Sequence, residues 1–249
     1  PDETNVRGSM RLYVCARQSG LCLGMLMVLL TLAIPPTRGE ELPDDILELS
    51  RQMVERERVG DYAAAVKSAQ KALTIAEEAL GPEASEVAIY SDYLGMLYLR
   101  VGHRQAAAGL FLRALAIREH VLGVDHMVVA ITLRHLAEAY RRSGEAVKAV
   151  IMLERALAID EQALGVDHAF LATTLQSLGL IFLNEGRYAE SEPFLLRALY
   201  LQDHVEGAPH LRIATTLEYY ARLLRETDRR DAAIQAETRL QDMHMANMK

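Results

Sequence analysis

The chain has 249 residues, is 51% hydrophobic and 24% charged, and carries a formal charge of -7. This is the composition of a folding chain, and its acidic balance excludes a general nucleic-acid binder, whose affinity needs a basic footprint. Both cysteines, Cys15 and Cys22, lie near the start, so no disulfide, thiolate zinc site or cysteine nucleophile is available from residue 40 onward.

Residues 1–9 are polar, and Met10 reads as the start of translation. Arg11 and Arg17 precede Leu21 to Ile34, 14 largely apolar residues closed by Pro35-Pro36. A spanning helix wants about 20 apolar residues. A basic start, a short apolar core and small residues around Thr37-Arg38-Gly39 describe a secretory signal, with cleavage expected after Gly39. Residues 1–39 are therefore expected to form an N-terminal extension and signal peptide that exports the chain, periplasmic or secreted. The alternative is a membrane anchor formed by residues 21–34. Cys22 lies at the front of the apolar core instead of after it, which speaks against a lipoprotein anchor.

From residue 40 the chain is expected to form one domain, 40–249, built on repetition. Pro43-Asp44-Asp45 reads as a helix start. Ile46, Leu49, Met53 and Val54 follow at helical spacing, and Gly60-Asp61 breaks the helix. Tyr62, Ala65, Val66, Ala69, Ala72, Leu73 and Ile75 make the apolar stripe of a second helix. The same grammar recurs. Leu122-Gly123-Val124-Asp125-His126 returns as Leu164-Gly165-Val166-Asp167-His168, 42 residues on. Gly60, Gly102, Gly144 and Gly186 keep that step, as do Ala72, Ala114, Ala156 and Ala198. A period of this length means stacked supersecondary units. Neither helix of a unit can bury its stripe alone, and stacking on neighbours supplies the missing surface. Burial of one Leu or Ile side chain contributes roughly 1.5–3 kcal/mol. Five units are expected, at about 45–79, 80–121, 122–163, 164–205 and 206–249. The end units depart from the pattern: Gln52 and Arg56 stand where the third has Leu136 and Tyr140, while Asp228 and Glu237 stand where it has Gly144 and Leu153. Polar residues there read as caps that face water. The tail from Met243 is expected to fray.

The string Leu133-x-x-Leu136-Ala137-x-x-Tyr140, with Ala149, Leu153 and Ala156, resembles the tetratricopeptide repeat (TPR). The 42-residue period and the strings LGVDH and RALAI resemble its kinesin light chain-like variety. The resemblance covers residues 45 to 249 and implies an all-α fold, a right-handed α-solenoid of about five TPR helix-turn-helix repeats.

No constellation for chemistry emerges. His126, His168 and His210 occupy one place in successive units, but stacked helices lie 8–10 Å apart and a zinc ion needs every ligand within about 2.1 Å. They read as loop and helix-start residues, and His120 and His204 read the same way. His135 sits on a first helix and reads as a surface contact beside the groove. There is no Gly-rich phosphate loop, G-x-S-x-G or H-E-x-x-H string. No catalytic, cofactor-binding or metal-binding residue is expected.

In tetratricopeptide arrays the first helix of each pair lines the concave surface, and its non-core positions are the binding candidates. Here they are Asp92, Met96 and Leu99; Arg134, Glu138 and Arg141; Gln176, Leu180 and Leu183; and Glu218, Arg222 and Arg225. Apolar patches mixed with charge of both signs suit an extended peptide with a few anchors. Kinesin light chain-like repeats often carry asparagines in a TLNNLA string that contact the peptide backbone. Here Thr132-Leu133-Arg134-His135-Leu136-Ala137 and Thr174-Leu175-Gln176-Ser177-Leu178-Gly179 lack them.

The expected function is a non-enzymatic interaction module that binds a protein or peptide in its groove, without cofactor or nucleic acid. One alternative is the recruiting front part of a larger enzyme, since similar bacterial arrays sometimes precede a peptidase domain. Another is a self-assembling scaffold.

Overall fold

The structure, a computed structural model, describes residues 44–203 and 210–246. The expected signal or anchor segment, His204 and the Glu206-Gly207 loop lie outside the described residues, as do residues 247–249 of the tail. Among the described residues there are ten α-helices and one short 3-10 turn, with no strand. The chain divides into two compact units between Ser143 and Gly144, inside the third repeat.

The first unit holds α1 (Asp44–Arg58), α2 (Tyr62–Leu80), α3 (Ser85–Arg100), α4 (Arg104–Leu122) and α5 (Met127–Arg142). Its helices start and stop where local chemistry dictates. Asp61 caps α2 by accepting from the Ala64 N–H at 3.1 Å, and His126 caps α5 by accepting from the Val128 N–H at its Nδ1, 3.2 Å away. Each helix packs on the next, and α3 also touches α5. One core runs through α1 to α4: Ile46, Met53, Ala65, Ala69, Ala72, Val87, Tyr90, Tyr93 and Leu97 are buried together. Gly95 shows how closely α3 and α4 approach, because a Cβ there would stand 2.7 Å from the Phe111 ring. Tyrosines tie first helices together: Ser50 and Tyr90 share a hydrogen bond of 3.0 Å, and the Tyr93 hydroxyl donates to Glu57 at 2.7 Å.

The second unit holds α6 (Ala146–Leu164), the turn Ala169–Leu171, α7 (Ala172–Asn184), α8 (Tyr188–Asp203), α9 (His210–Glu226) and α10 (Arg230–Ala246). His168 accepts from the Phe170 N–H at 3.2 Å, the same service that His126 performs. The helices again pack in sequence, with α7 also on α9. Gly179 is the counterpart of Gly95, and a Cβ there would meet Leu195 at 2.6 Å. Asp228 occupies the turn-glycine position of the last repeat yet keeps the left-handed backbone, with φ 58° against 71–89° for Gly60, Gly102, Gly144 and Gly186. The polar cap thus preserves the turn of the inner repeats. Glu237, where the inner repeats carry a core residue, pairs with Arg225 instead.

One ion pair joins successive second helices in both units. In the first, Arg113 on α4 reaches Glu77 on α2 and donates to the Pro82 carbonyl at 3.3 Å. In the second, Arg197 on α8 reaches Glu161 on α6 at 2.6 Å and donates to the Val166 carbonyl at 2.7 Å. Arg239 on α10 reaches Asp203 on α8. Long arginines bridge one repeat to the next while shielding the linking loop.

Candidate binding faces of the first helices

In the first unit the candidates lie on α3 and α5, which are joined by the Arg142 guanidinium donating to the Leu99 carbonyl at 3.3 Å. Asp92 is buried and not free on the surface. Its oxygens lie 3.1 Å from Nδ1 of His135 and 3.5 Å from Nη1 of Arg118, which is itself nearly buried. Arg118 also donates to the Thr132 hydroxyl. Burial pushes the Asp92 carboxyl up, but His135 and Arg118 outweigh it and hold the group below its ordinary value. His135 accordingly belongs to a polar cluster inside the stack, with its ring 5.6 Å from that of Phe111. Leu99 is buried as well, and the reading of it as a groove position is corrected: it belongs to the core. Met96 stays half-exposed over that core.

On α5, Arg134, Glu138 and Arg141 remain half-exposed. Glu138 takes Arg141 at 2.7 and 2.8 Å and Arg142 at 2.6 Å. Burial raises its carboxyl and the two arginines lower it further, so it stays ionised below the usual carboxylate range. Two guanidiniums share one carboxylate, leaving this end of α5 cationic.

In the second unit the candidates lie on α7 and α9. Leu183 is corrected in the same way as Leu99, since it is buried with Leu195 and Leu223. Leu180 and Gln176, one helical turn apart on the same face, are half-exposed. The Gln176 Nε2 is enclosed and has no hydrogen-bond acceptor among the described residues. Glu218, Arg222 and Arg225 are exposed. Arg222 donates to the Asn184 side chain at 3.0 Å, and Arg225 leans to Glu237.

Helical periodicity does not single out Arg118, Thr132 or Arg142, yet a signal for the first was present. Asp92 and Arg118 are 26 residues apart, and one period later the same two positions hold Arg134 and Asp160, with the charges exchanged. Among the described residues no group of three or more His, Cys, Asp or Glu is arranged to hold a metal ion. No described helix is long and apolar enough to cross a membrane.

Comparison with known proteins bears on what such faces do. The tetratricopeptide repeat profile matches residues 53–120, 105–162, 128–189 and 170–244. The chain belongs to the tetratricopeptide repeat family. Its structure is similar to that of the nearly identical TPR-like repeats of a kinesin light chain-type protein from Podosopora anserina, with a TM-score of 0.71 and 20% identity, covering 84% of this chain and 100% of that one. BtubC (BKLC) from P. vanneervenii gives a TM-score of 0.73 at 18% identity, covering 98% of this chain and 89% of that one. MamA from Desulfovibrio magneticus RS-1 gives 0.60 at 14% identity, over 83% of this chain and 98% of that one. At these identities the likeness establishes the fold, an all-α TPR solenoid. No curated protein matches the chain. TPR repeats generally mediate protein–protein interaction, and the fold is typically a non-catalytic scaffold.

Proposed function

We propose that the protein is an exported, non-enzymatic interaction module whose first-helix faces capture an extended segment of a partner protein. The observation that carries this reading is Gln176. Its amide stands at the first asparagine position of the TLNNLA string, half-buried on α7, with an N–H donor that nothing in the described protein uses. An enclosed donor without an acceptor costs about 1–3 kcal/mol, and a turn of the half-exposed side chain towards the face would let a peptide carbonyl recover that energy. Leu180, on the same face one turn away, offers an apolar anchor beside it. Backbone recognition with a few side-chain anchors is how extended peptides bind with affinity and register. In the first unit Asp92 and His135 satisfy each other, so the face there offers side-chain charge from Arg134, Arg141 and Arg142 instead. The basic N-terminal start, its apolar core and the small residues after it support export.

The test is selection of binding peptides from a random library displayed on phage, with the protein immobilised. Selected peptides are then titrated against the wild type and against Gln176→Ala and Leu180→Ala. The expected result is a loss of affinity of about tenfold for each variant, with helical content unchanged by circular dichroism. Peptides that bind both variants as tightly as the wild type would place the site elsewhere.

A further inference from the structure

Residues 93–118 contain four arginines and His103 but no aspartate or glutamate, in a chain with 34 acidic residues. They make up most of the α3–α4 hairpin of the first unit. Two of the arginines serve the fold: Arg113 pairs with Glu77 and Arg118 with Asp92. Arg100, in the last turn of α3, and Arg104, which opens α4, are exposed on either side of the Gly102 turn. Among the described residues neither has an ion-pair partner. Arg100 is also the middle of a row. Arg58, Arg100 and Arg142 stand one 42-residue period apart, in the last turns of α1, α3 and α5, and the next two repeats hold Asn184 and Glu226 there. Arg58 is held by Glu55 at 2.7 and 2.9 Å. Arg142 donates to Glu138 at 2.6 Å and to the Leu99 carbonyl at 3.3 Å, which sets its guanidinium against the residue before Arg100. Glu138 is already shared with Arg141, so the end of α5 adds positive charge beside Arg100. The acids of the neighbouring α1–α2 turn are engaged as well: Glu57 accepts from the Tyr93 hydroxyl, and Asp61 caps α2.

We infer that the ends of α3 and α5, with the start of α4, form a subsite for an acidic stretch of the captured segment. This rests on the reading of the protein as a module that binds an extended segment of a partner, and adds the chemistry of that segment. Donor chemistry is the first argument. An arginine fork takes a carboxylate through two parallel hydrogen bonds, and no described carboxylate engages those of Arg100 and Arg104. Contrast is the second. A chain of formal charge -7 repels an acidic segment over most of its surface, so a local excess of arginine decides where such a segment settles and in which register. Spacing is the third. Packed helices lie 8–10 Å apart, and α3 touches α5. In an extended polyproline II segment, side chains three residues apart share a side and stand about 9 Å apart. Acids at positions i and i+3 therefore reach Arg100 and Arg142 together. Met96, one turn before Arg100 and half-exposed, offers apolar contact to a side chain between them. The row is closed by Glu55 at one end and by loss of the arginine at the other, which confines the acidic stretch to α3 and α5.

The probes are peptides selected from a random phage library by the immobilised full chain. Selected peptides should carry Asp or Glu three residues apart and should bind more weakly as salt is raised. The double variant Arg100→Glu, Arg104→Glu should bind them at least about tenfold more weakly. Lys67→Glu with Lys71→Glu makes the same change in net charge at exposed positions of α2 and should leave their affinity unchanged. Thermal melts establish that both double variants fold. Acidic peptides that bind the two double variants alike overturn the inference, and so do selected peptides without such acids; either result leaves the interaction-module reading standing. A library that yields no binder overturns both. Binding of the wild type to phosphatidylglycerol vesicles, abolished by Arg100→Glu with Arg104→Glu while no acidic peptide is selected, also overturns it and gives the cluster to an anionic membrane surface.

Discussion

Nδ1 of His135 on α5 stands 3.1 Å from both carboxylate oxygens of Asp92 on α3, across the boundary between two repeats. Arg118 holds the same carboxylate from the side. Replacing Asp92 by Asn leaves Arg118 nearly buried without its counter-charge, and the expected cost is about 3 kcal/mol. The pH dependence has a definite sign. The folded group titrates below its ordinary value of 3.8, so its stabilisation is fully present above 3.8 and is lost as pH falls through the folded value. Urea unfolding at neutral pH and near pH 3 should show the wild type losing this component, while Asp92→Asn, which lacks it, loses less.

His126 predicts a second pH effect in milder acid. Burial of the ring lowers its pKa from 6.5, and in its neutral form the ring accepts a hydrogen bond at Nδ1. Protonation is easier in the unfolded chain, so stability is complete above 6.5 and declines as pH drops from 6.5 towards the folded value. His126→Asn keeps a side-chain acceptor at the helix start and should flatten the thermal midpoint between pH 7 and pH 5. His126→Ala loses the cap and should cost about 1 kcal/mol above pH 6.5, with the difference shrinking in acid.

Gly95 and Gly179 test how tightly paired helices approach. A Cβ on Gly95 meets the ring of Phe111, and one on Gly179 meets Cδ2 and Cγ of Leu195. Both neighbours are fully buried. Gly→Ala at an exposed helical site stabilises by up to about 1 kcal/mol, but here overpacking of about 1–3 kcal/mol opposes it. Each variant should therefore unfold at lower urea than the wild type. A gain in stability at either site would mean that the helix pair can spread without penalty.

The inner repeats show what the last turn has given up. Asp228 sits at φ 58° where they use glycine, a conformation that costs an L residue roughly 1 kcal/mol. Asp228→Gly is expected to raise the melting temperature slightly, and Asp228→Val to lower it by more, since a β-branched side chain tolerates that region worst. A differential scanning measurement on both reads the sign.

Most of the fold was legible because one period ran through independent positions. The glycines and small residues of the 42-residue step place turns and close contacts, and the helices fall where the stripes do. Contacts between repeats were less legible. Leu99 and Leu183 occupy positions that a single helix presents outward, and only the packing of the following first helix, seen for Leu183 against Leu223, buries them. Periodicity within one helix does not show what the next repeat will cover. His135 illustrates the same limit. It reads as a surface residue on its own helix and becomes an internal partner because Asp92 lies across from it. The charge exchange between Asp92/Arg118 and Arg134/Asp160 could have exposed the cluster, because each repeat serves as an alignment for the others.

That exchange has a consequence for how such a chain finds its own order. A nearly periodic sequence risks slipping by a whole unit, with a first helix closing on the wrong second helix. The pair of positions held by Asp92 and Arg118 reads Arg134 and Asp160 one period on, then Gln176 and Gln202. A slip that brought Arg134 to the place of Asp92 would set it against Arg118, two like charges in a place that excludes water. The Asp92–Arg118 pair is thus a key that the residues one period on do not fit, and the array can be built from copies without its copies being interchangeable.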